Sequence, residues 1–364
     1  MPTKVIMGDD CVAANRSLLE SLGKKALIVS GRNSARANGS LADMTKALEA
    51  NGQSYYLYDR VASNPTVDCV YEAAEAAVKE GCDFVVALGG GSPLDASKVA
   101  AALALNPVDK SSLFTTVFTR ALPIVAVPTT AGTGSEATPY AIITNDAAQT
   151  KTSVSSPALF PRYAFLDARY TLSLSRETTI NTAIDALSHA VEGALSVRAS
   201  PISDALARES ISTIAACFGA LGGDASLSME TRLRLLYGSL LGGMVIANTG
   251  TTAVHALGYA LTYQRHIDHG RANGLVFAEY LKAVEQKQRD GAVQHIPALL
   301  SALGMDSLDE FAATIDGLLG KKEPFDDGEL QAYAEQASGA KNIANGIVHF
   351  DKTELLGILR RSLR

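Results

Sequence analysis

The sequence has little of what a disulfide-bonded or nucleic-acid-binding protein needs. Its four cysteines are scattered and form no C-x-x-C pair, which fits reduced thiols and argues against a disulfide framework or a sulfur-ligated metal. The formal net charge is −6, and no basic stripe with interleaved aromatic residues occurs, so nucleic acid is not an expected partner. Any transition-metal site must therefore use histidine and carboxylate ligands.

Long apolar runs are also missing. The runs at residues 84–88 and 99–105 are far shorter than a membrane span requires. Residues 1–17 lack the basic start and sustained apolar core of a signal peptide. We therefore expect no membrane partner and a cytoplasmic location. With 364 residues, of which 47% are hydrophobic and 19% charged, the chain can bury a large interior and is long enough for two domains.

The first part of the chain alternates β-rich runs with helical segments. Strand-like runs occur at residues 25–30, 54–59, 83–92, 122–128, 140–145 and 163–167. Such alternation predicts βαβ units and a mainly parallel sheet. From about residue 172 the β-branched runs disappear, and Ala/Leu/Gly-rich segments with helical spacing follow. We therefore predict an α/β domain over residues 1–171 and an all-helical domain over residues 172–364.

The run FVVALGGGSPLDASKVAAALA indicates a buried strand, three glycines and a helix that begins near Leu94. Glycines let backbone N–H groups approach an anion, and a helix N-terminus adds positive partial charge, so a pyrophosphate would bind well here. The residues that would contact it are Gly89, Gly90, Gly91 and Ser92. The loop matches neither G-x-G-x-x-G nor the Walker pattern, and an ordinary tight turn is the alternative.

A second loop, VPTTAGTGSEATPY, follows another buried strand. It carries five hydroxyl side chains, those of Thr129, Thr130, Thr133, Ser135 and Thr138. Ligands of open α/β sheets bind beyond the carboxyl ends of the strands. Capping turns could use one or two of these hydroxyl groups, but five exceed that need. The loop therefore favours a dinucleotide-binding domain.

The loop GRNSARANGS, which follows the strand-like run 25–30, bears on the choice of cofactor. In dinucleotide folds an acidic residue near such a position accepts the ribose hydroxyls, whereas a missing acid with nearby arginine admits a 2′-phosphate. The residues concerned are Gly31, Arg32, Ser34 and Arg36. We therefore predict NADP(H) over NAD(H), although two arginines in a loop could equally be solvated.

Two polar residues interrupt the apolar run NTAIDALSHAVEGAL. Asp185 and His189 are four residues apart, so on a helix both side chains would point to one side. They could share a metal ion, or Asp185 could orient a core histidine. Downstream, His255, His266 and His269 fall within fifteen residues. Histidine is the commonest metal ligand, so this cluster favours the metal.

Four motifs, GGGSPLDASK, PTTAGTGSEAT, DALSHAVEG and VHALGYALT…DHGRANG, occur in this order. Together they resemble the iron-containing (group III) alcohol dehydrogenases, most of all the shorter NADP-dependent butanol-dehydrogenase-like members. The resemblance extends over residues 24–277 and implies the dehydroquinate-synthase-like fold of that family. This fold pairs an α/β dinucleotide-binding domain with an all-α metal-binding domain. The resemblance also implies a homodimer.

The resemblance assigns roles to individual residues. The metal ligands of the family correspond to Asp185, His189, His255 and His269. Such a donor set suits Fe²⁺ and Zn²⁺ equally well, and the family name favours iron. The implied dinucleotide contacts are Gly89 to Ser92, Asp95, Lys98, Thr129, Thr130, Thr133, Thr138 and Lys151. Asp95 and Lys98 could instead be a solvated pair in the first turn of a helix.

The chain departs from the family in its proton route. Many relatives have a second histidine four residues after the first, in the pattern H-A-x-x-H-P-L, whereas this chain has Tyr259 and Ala260 there. Tyr259 could donate a hydrogen bond, the cofactor ribose could relay the proton, or His266 could serve from the adjacent loop. Glu192, one turn beyond His189, could be a packed side chain or an outer-sphere group of the metal.

The expected activity is reversible hydride transfer between NADP(H) and a small alcohol or aldehyde. A divalent metal in a cleft between the domains would act as a Lewis acid on the substrate oxygen. The alternatives are a polyol enzyme similar to glycerol dehydrogenase, a lyase similar to dehydroquinate synthase, and a non-catalytic nucleotide-binding protein.

Overall fold

A computed structural model describes residues 1–288 and 295–364. The chain divides into two compact units, Met1–Leu174 and Ser175–Arg364, whereas the sequence predicted a division after residue 171. The first unit contains a parallel sheet with helices, and the described residues of the second form helices. The predicted fold class is thus confirmed.

The first unit contains eight strands: β1 (Lys4–Met7), β2 (Lys25–Ser30), β3 (Ser54–Tyr58), β4 (Phe84–Gly89), β5 (Ile124–Pro128), β6 (Tyr140–Asn145), β7 (Thr150–Ser155) and β8 (Tyr163–Leu166). Six of them pair in parallel in the order β1-β8-β5-β4-β2-β3. Strands β6 and β7 form an antiparallel hairpin.

Helices cover both faces of the sheet. They are α1 (Cys11–Ala14), α2 (Ser17–Glu20), α3 (Ser34–Ala37), α4 (Ser40–Ala50), α5 (Val67–Lys79) and α6 (Gly91–Leu103). In β2, Leu27 and Val29 belong to the core formed with α5 and α6, while Ala26 and Ile28 belong to the core formed with α1, α2 and α4. Because both faces are covered, these strands are continuous apolar runs rather than alternating ones.

Helix α6 begins earlier than the sequence indicated. Its first residue is Gly91 rather than a residue near Leu94, with Gly90 as the N-cap. Pro93 is tolerated because the first turn of a helix does not use its backbone N–H groups for intrahelical bonds. The last two glycines of the loop therefore belong to the helix N-terminus itself.

The second unit is built from ten helices among its described residues. They are α7 (Arg176–Ala194), α8 (Pro201–Ala215), α9 (Phe218–Gly222), α10 (Met229–Thr249), α11 (Ala253–Arg265), α12 (His269–Gln288), α13 (Ile296–Leu303), α14 (Leu308–Leu319), α15 (Asp327–Ser338) and α16 (Lys352–Leu363). Helix α7 packs against α8, α10 and α12, and α12 also packs against α11, α14 and α16. The pairs α7–α12 and α11–α12 position the candidate ligands.

Within residues 1–288 and 295–364, no individual helix has both the length and the apolar composition of a membrane span. Helices α10 and α11, which are bent by 109° at the break between them, meet those two criteria only when taken together.

Candidate metal centre and dinucleotide site

Three histidines from three helices of the second unit surround the carboxylate of Asp185. Asp185 and His189 lie on the buried face of α7, His255 lies in the first turn of α11, and His269 begins α12. The Oδ1 atom of Asp185 is 3.9 Å from Nε2 of His189. It is 3.8 Å from Nε2 of both His255 and His269. The structure thus brings together the four residues that the resemblance implied as ligands.

The donor set and its spacing fit a divalent transition metal. A tetrahedral ion with bonds of about 2.1 Å keeps its donor atoms roughly 3.4 Å apart, close to the separations around Asp185. One ligand atom each of Asp185, His255 and His269 lie within 4.8 Å of one another. Asp185, His189 and His255 are at most 5% exposed. Buried donors of this kind are suited to binding an ion without competition from bulk water.

The close packing of α12 against α7 requires a glycine directly after His269. A Cβ atom at Gly270 would lie 1.8 Å from the backbone oxygen of Asn181 on α7. Any side chain there would force the two helices apart and separate His269 from Asp185. Asn181 Nδ2 also donates to Asp268 Oδ2 at 3.1 Å, which attaches the start of α12 to α7.

Asn273 lies within the ligand cluster, and the sequence reasoning missed it. Its Nδ2 donates to Asp185 Oδ1 at 3.0 Å and lies 3.3 Å and 3.4 Å from Nε2 of His255 and His269, respectively. Asn273 follows His269 by four residues on α12. The i, i+4 spacing that drew attention to Asp185 and His189 could therefore have revealed Asn273 as well.

Tyr259 lies beside the cluster. Its ring is stacked on that of His269, with the centroids 5.3 Å apart, and it meets the ring of His255 edge-on at 6.1 Å. Tyr259 is half-buried. The other candidate for the proton route, His266, is exposed and caps the C-terminus of α11 in the left-handed conformation.

Glu192 is buried beside the ligand cluster. Its side chain is fully buried, and Oε2 contacts Nδ1 of His255. Burial alone would raise the pKa of the Glu192 carboxyl, but the neighbouring His255 and Thr252 hold it below its ordinary value. The sequence left open whether Glu192 is a packed side chain or an outer-sphere group of the metal. The structure places it in contact with the candidate ligand His255.

The predicted dinucleotide loops follow the carboxyl ends of the neighbouring parallel strands β2, β4 and β5. Strand β2 pairs with β3 on one side and with β4 on the other. After β3 the chain therefore crosses to the opposite side of β2, and the order of the strands reverses between β2 and β4. Ligands of open α/β sheets bind at such a switch point, beyond the carboxyl ends of the strands. The loops that start there are those at residues 31–34, 89–92 and 129–138.

The glycine loop packs directly on the threonine loop. A Cβ atom at Gly91 would lie 2.6 Å from Cγ2 of Thr133, so only glycine fits at this position. Thr129 N donates to Gly89 O at 2.9 Å, and Ser92 Oγ accepts from the backbone N–H of Asn64 at 3.0 Å. The two loops therefore form one surface at the N-terminus of α6, where an anion would be favoured.

Lys98 is an internal residue, and the surface alternative is wrong for it. The side chain is 0% exposed, and its ammonium group donates to Ser135 Oγ at 2.7 Å, to Thr138 Oγ1 at 2.9 Å and to the Tyr140 carbonyl at 2.8 Å. Burial lowers the pKa of Lys98 to about 8, against the opposing influence of Asp95. Lys98 thus holds the threonine loop to α6 from inside the unit.

Asp95 joins the same network. It accepts from Ser135 Oγ at 2.6 Å and from the backbone N–H of Ile142 at 2.8 Å. Burial raises the pKa of the Asp95 carboxyl, while Lys98 and, more weakly, Lys151 on β7 act in the opposite direction. The hydroxyl of Thr138 is likewise turned towards Lys98. The contacts of Asp95 and Thr138 thus stabilise the threonine loop against α6 from inside the unit. That these two residues also contact a dinucleotide stays a prediction.

The two arginines that follow β2, Arg32 and Arg36, have different surroundings. Arg36 forms an ion pair with Asp59, at 2.9 Å, directly after β3. Arg32 and Ser34 are exposed, and Arg32 forms no ion pair among the described residues. Asp59 was missed by the sequence reasoning, although the run SYYLYD places it at a strand end. Of the two arginines, Arg32 is the one available to a ligand.

Comparisons with known proteins agree with this arrangement. The family model for iron-containing alcohol dehydrogenases matches residues 2–168, and the model for the C-terminal part of that family matches residues 179–320. The long-chain primary alcohol dehydrogenase AdhA of Thermoanaerobacter ethanolicus is 34% identical over 278 residues, which cover 74% of this chain and 69% of that protein.

Two solved structures from Thermotoga maritima are similar over almost their whole length. One, an iron-containing alcohol dehydrogenase, has a TM-score of 0.91 and 39% identity, and the match covers 100% of this chain and 98% of that chain. The other, an NADH-dependent butanol dehydrogenase A, has a TM-score of 0.86 and 25% identity, with 100% and 97% covered. The predicted family is confirmed: this chain is an oxidoreductase that belongs to the iron-containing alcohol dehydrogenases.

Proposed function

We propose that this protein transfers a hydride between NADP(H) and a small primary alcohol or its aldehyde, and that the reaction depends on a bound divalent metal. Family membership provides the reaction class. The observation that carries the proposal is the single buried oxygen Asp185 Oδ1, which has three imidazole Nε2 atoms 3.8–3.9 Å away. A buried carboxylate oxygen surrounded by imidazole nitrogens is a donor set that suits a shared divalent cation.

The metal would be held by Asp185, His189, His255 and His269, with Fe²⁺ as the proposed ion and Zn²⁺ as the alternative. When bound, it supplies Lewis-acid chemistry to the substrate oxygen. The protein itself arranges the donors beforehand. Asn273 donates to Asp185 and Glu192 contacts His255, so neither ligand has to be ordered when the ion enters.

The dinucleotide would be held by the loops that follow β2, β4 and β5. The N–H groups of Gly89 to Ser92 and the N-terminus of α6 suit the pyrophosphate. When bound, the nicotinamide supplies the hydride chemistry. Arg32, which is exposed and forms no ion pair within residues 1–288 and 295–364, supports NADP(H), because it could bind a 2′-phosphate. One solved relative is NADH-dependent by its name, so this choice rests on Arg32 rather than on the family.

Tyr259 is proposed to hold the proton that the substrate oxygen gains or loses. Its stacking on His269 keeps the phenol ring against a candidate ligand, and a phenolic hydroxyl both donates and accepts hydrogen bonds. We expect Tyr259→Phe to lower kcat about 10- to 100-fold, the size of one hydrogen bond to a developing charge. Metal content should stay unchanged.

The control for this variant is Tyr237→Phe, on α10 (Met229–Thr249). It should leave kcat unaltered because the Tyr237 side chain is exposed, whereas Tyr259 stacks on a candidate ligand. Steady-state kinetics over a range of pH would check both variants. An unaltered kcat in Tyr259→Phe would show that another group, such as His266, exchanges the proton with the substrate oxygen.

The test of the proposed function is oxygen-free purification followed by elemental analysis and a screen of NADPH oxidation. Stoichiometric iron or zinc, with rapid NADPH oxidation by butanal, is the expected result. Glycerol with NADP⁺ should react far more slowly, and the reverse order of the two substrates would identify a polyol enzyme. Absence of both metal and cofactor binding would indicate a non-catalytic protein.

A further inference from the structure

Glu192 makes more contacts than a packed carboxylate needs. We propose that it is a positioning residue that fixes His255 as the tautomer protonated on Nδ1, and thereby presents the Nε2 lone pair to the metal. The proposal rests on the proposed function, because it assumes that His255 is a ligand. It concerns the outer contacts of the site rather than the ligands themselves.

The two oxygens of Glu192 have different roles: backbone N–H groups and a hydroxyl donate to Oε1, including His255 N at 3.4 Å, whereas Oε2 faces an imidazole. Oε1 accepts from Thr252 N at 2.8 Å, from Thr252 Oγ1 at 2.7 Å and from Val254 N at 3.0 Å. Oε2 contacts Nδ1 of His255. With a side chain that is 0% exposed, Glu192 has no access to bulk water, so these protein groups are what satisfy its charge.

The contact with Oε2 selects the tautomer of His255. A neutral imidazole carries one N–H, and an ionised carboxylate can only accept. The proton of His255 must therefore lie on Nδ1, where it is donated to Oε2. Nε2 is then left with its lone pair, and this is the atom that lies 3.8 Å from Asp185 Oδ1. A neighbouring carboxylate is a common way of orienting and activating a metal-binding histidine.

The donors around Oε1 make the glutamine variant informative. In Glu192→Gln, the side-chain oxygen must stay at the Oε1 position, because the N–H groups of Thr252 and Val254 point there. The amide NH₂ group then faces His255 Nδ1 and donates to it. This forces the proton of His255 onto Nε2 and removes the lone pair that would bind the metal.

The loop that Glu192 contacts has further anchors, which favour folding of the variants. Asn342 Nδ2 donates to the Thr252 carbonyl at 2.9 Å, and Asn345 Nδ2 donates to the Thr251 carbonyl at 3.0 Å. Both asparagines lie in the 3₁₀ helix Lys341–Asn345. The loop before α11 is therefore held from the C-terminal segment as well as from α7.

The experiment compares three variants of the full-length protein: Glu192→Gln, Glu192→Ala and Glu177→Gln. The affinity for Zn²⁺ is measured by competition with a chelator, and thermal unfolding of the metal-free protein is measured in parallel. We expect Glu192→Gln to bind Zn²⁺ about 100-fold more weakly than the unmodified protein, and Glu192→Ala about 10-fold more weakly. The exposed Glu177 in the first turn of α7 is the matched control and should change neither quantity.

The order of the two Glu192 variants distinguishes positioning from a structural role. Alanine removes the carboxylate but leaves His255 free to choose its tautomer, whereas glutamine preserves the packing and imposes the wrong one. If Glu192 only held the loop, Glu192→Ala would be the more damaging variant, and Glu192→Gln would bind Zn²⁺ normally. That outcome would overturn the proposal.

A second readout follows the tautomer directly. Nitrogen-15 spectra of the imidazoles in the metal-free protein should show the His255 proton on Nδ1 in the unmodified chain and on Nε2 in Glu192→Gln. A proton on Nδ1 in both proteins would contradict the proposal. If the unmodified protein binds no Zn²⁺ at all, the proposed metal site fails, which is distinguishable from a failure of the tautomer argument alone.

Discussion

Replacing Asp185 with alanine should abolish metal retention and lower turnover by at least about 10³-fold, the equivalent of several kcal/mol of lost charge stabilisation. Asp185 is the one carboxylate in the candidate ligand set. Its Oδ1 atom is the common neighbour of His189, His255 and His269. Without it, the site would lose its central donor atom and its one negative charge, and no protein group of the ligand set would offset the charge of the buried dication.

The measurement is metal content per chain after oxygen-free purification, together with kcat for aldehyde reduction. Asp185→Asn serves as a second variant, because it keeps the size of the side chain and removes only the charge. Asp204→Ala is the control, since Asp204 is an exposed acid in the first turn of α8. Full turnover by a metal-free Asp185→Ala protein would refute the proposed role of the metal.

Replacing Arg32 with aspartate should reverse the cofactor preference. The ratio of kcat/KM for NADPH to that for NADH is expected to fall by at least about 100-fold. A charge-assisted hydrogen bond from arginine to the 2′-phosphate contributes about 1.5–3 kcal/mol, which is roughly 10- to 150-fold. The new carboxylate would also repel that phosphate and accept hydrogen bonds from the ribose hydroxyls of NADH.

The control for this prediction is Arg36→Ala. Arg36 lies on α3 close to Arg32 in the chain, but its guanidinium is paired with Asp59 at 2.9 Å. Because an exposed ion pair contributes little, this variant should alter the ratio by less than about threefold. An unmodified protein that strongly prefers NADH, or an Arg32→Asp variant with an unaltered ratio, would show that Arg32 does not bind the cofactor.

Several features could be predicted without any structure. The apolar runs 25–30 and 122–128 led directly to β2 and β5. Such patterns are local, because a strand or a helix repeats its apolar residues within a few positions. The D-x-x-x-H spacing of Asp185 and His189 is equally local.

Other features could not be predicted from local patterns. Asp95 and Lys98 have the spacing of an exposed pair on a helix, yet both side chains form hydrogen bonds with the hydroxyl of Ser135 in the threonine loop. Lys98 is internal only because the hairpin β6–β7 and the loop before it pack on α6. Spacing within one helix carries no information about what covers that helix.

The chain's local order of apolar, glycine and histidine residues was thus sufficient for the fold class and the family. Packing alone settled which polar groups meet. The contacts Arg36–Asp59, Glu192–His255 and Asp185–Asn273 join residues 23, 63 and 88 positions apart. Each depends on how helices and strands lie against one another, and that geometry follows from the whole set of buried side chains rather than from any short stretch.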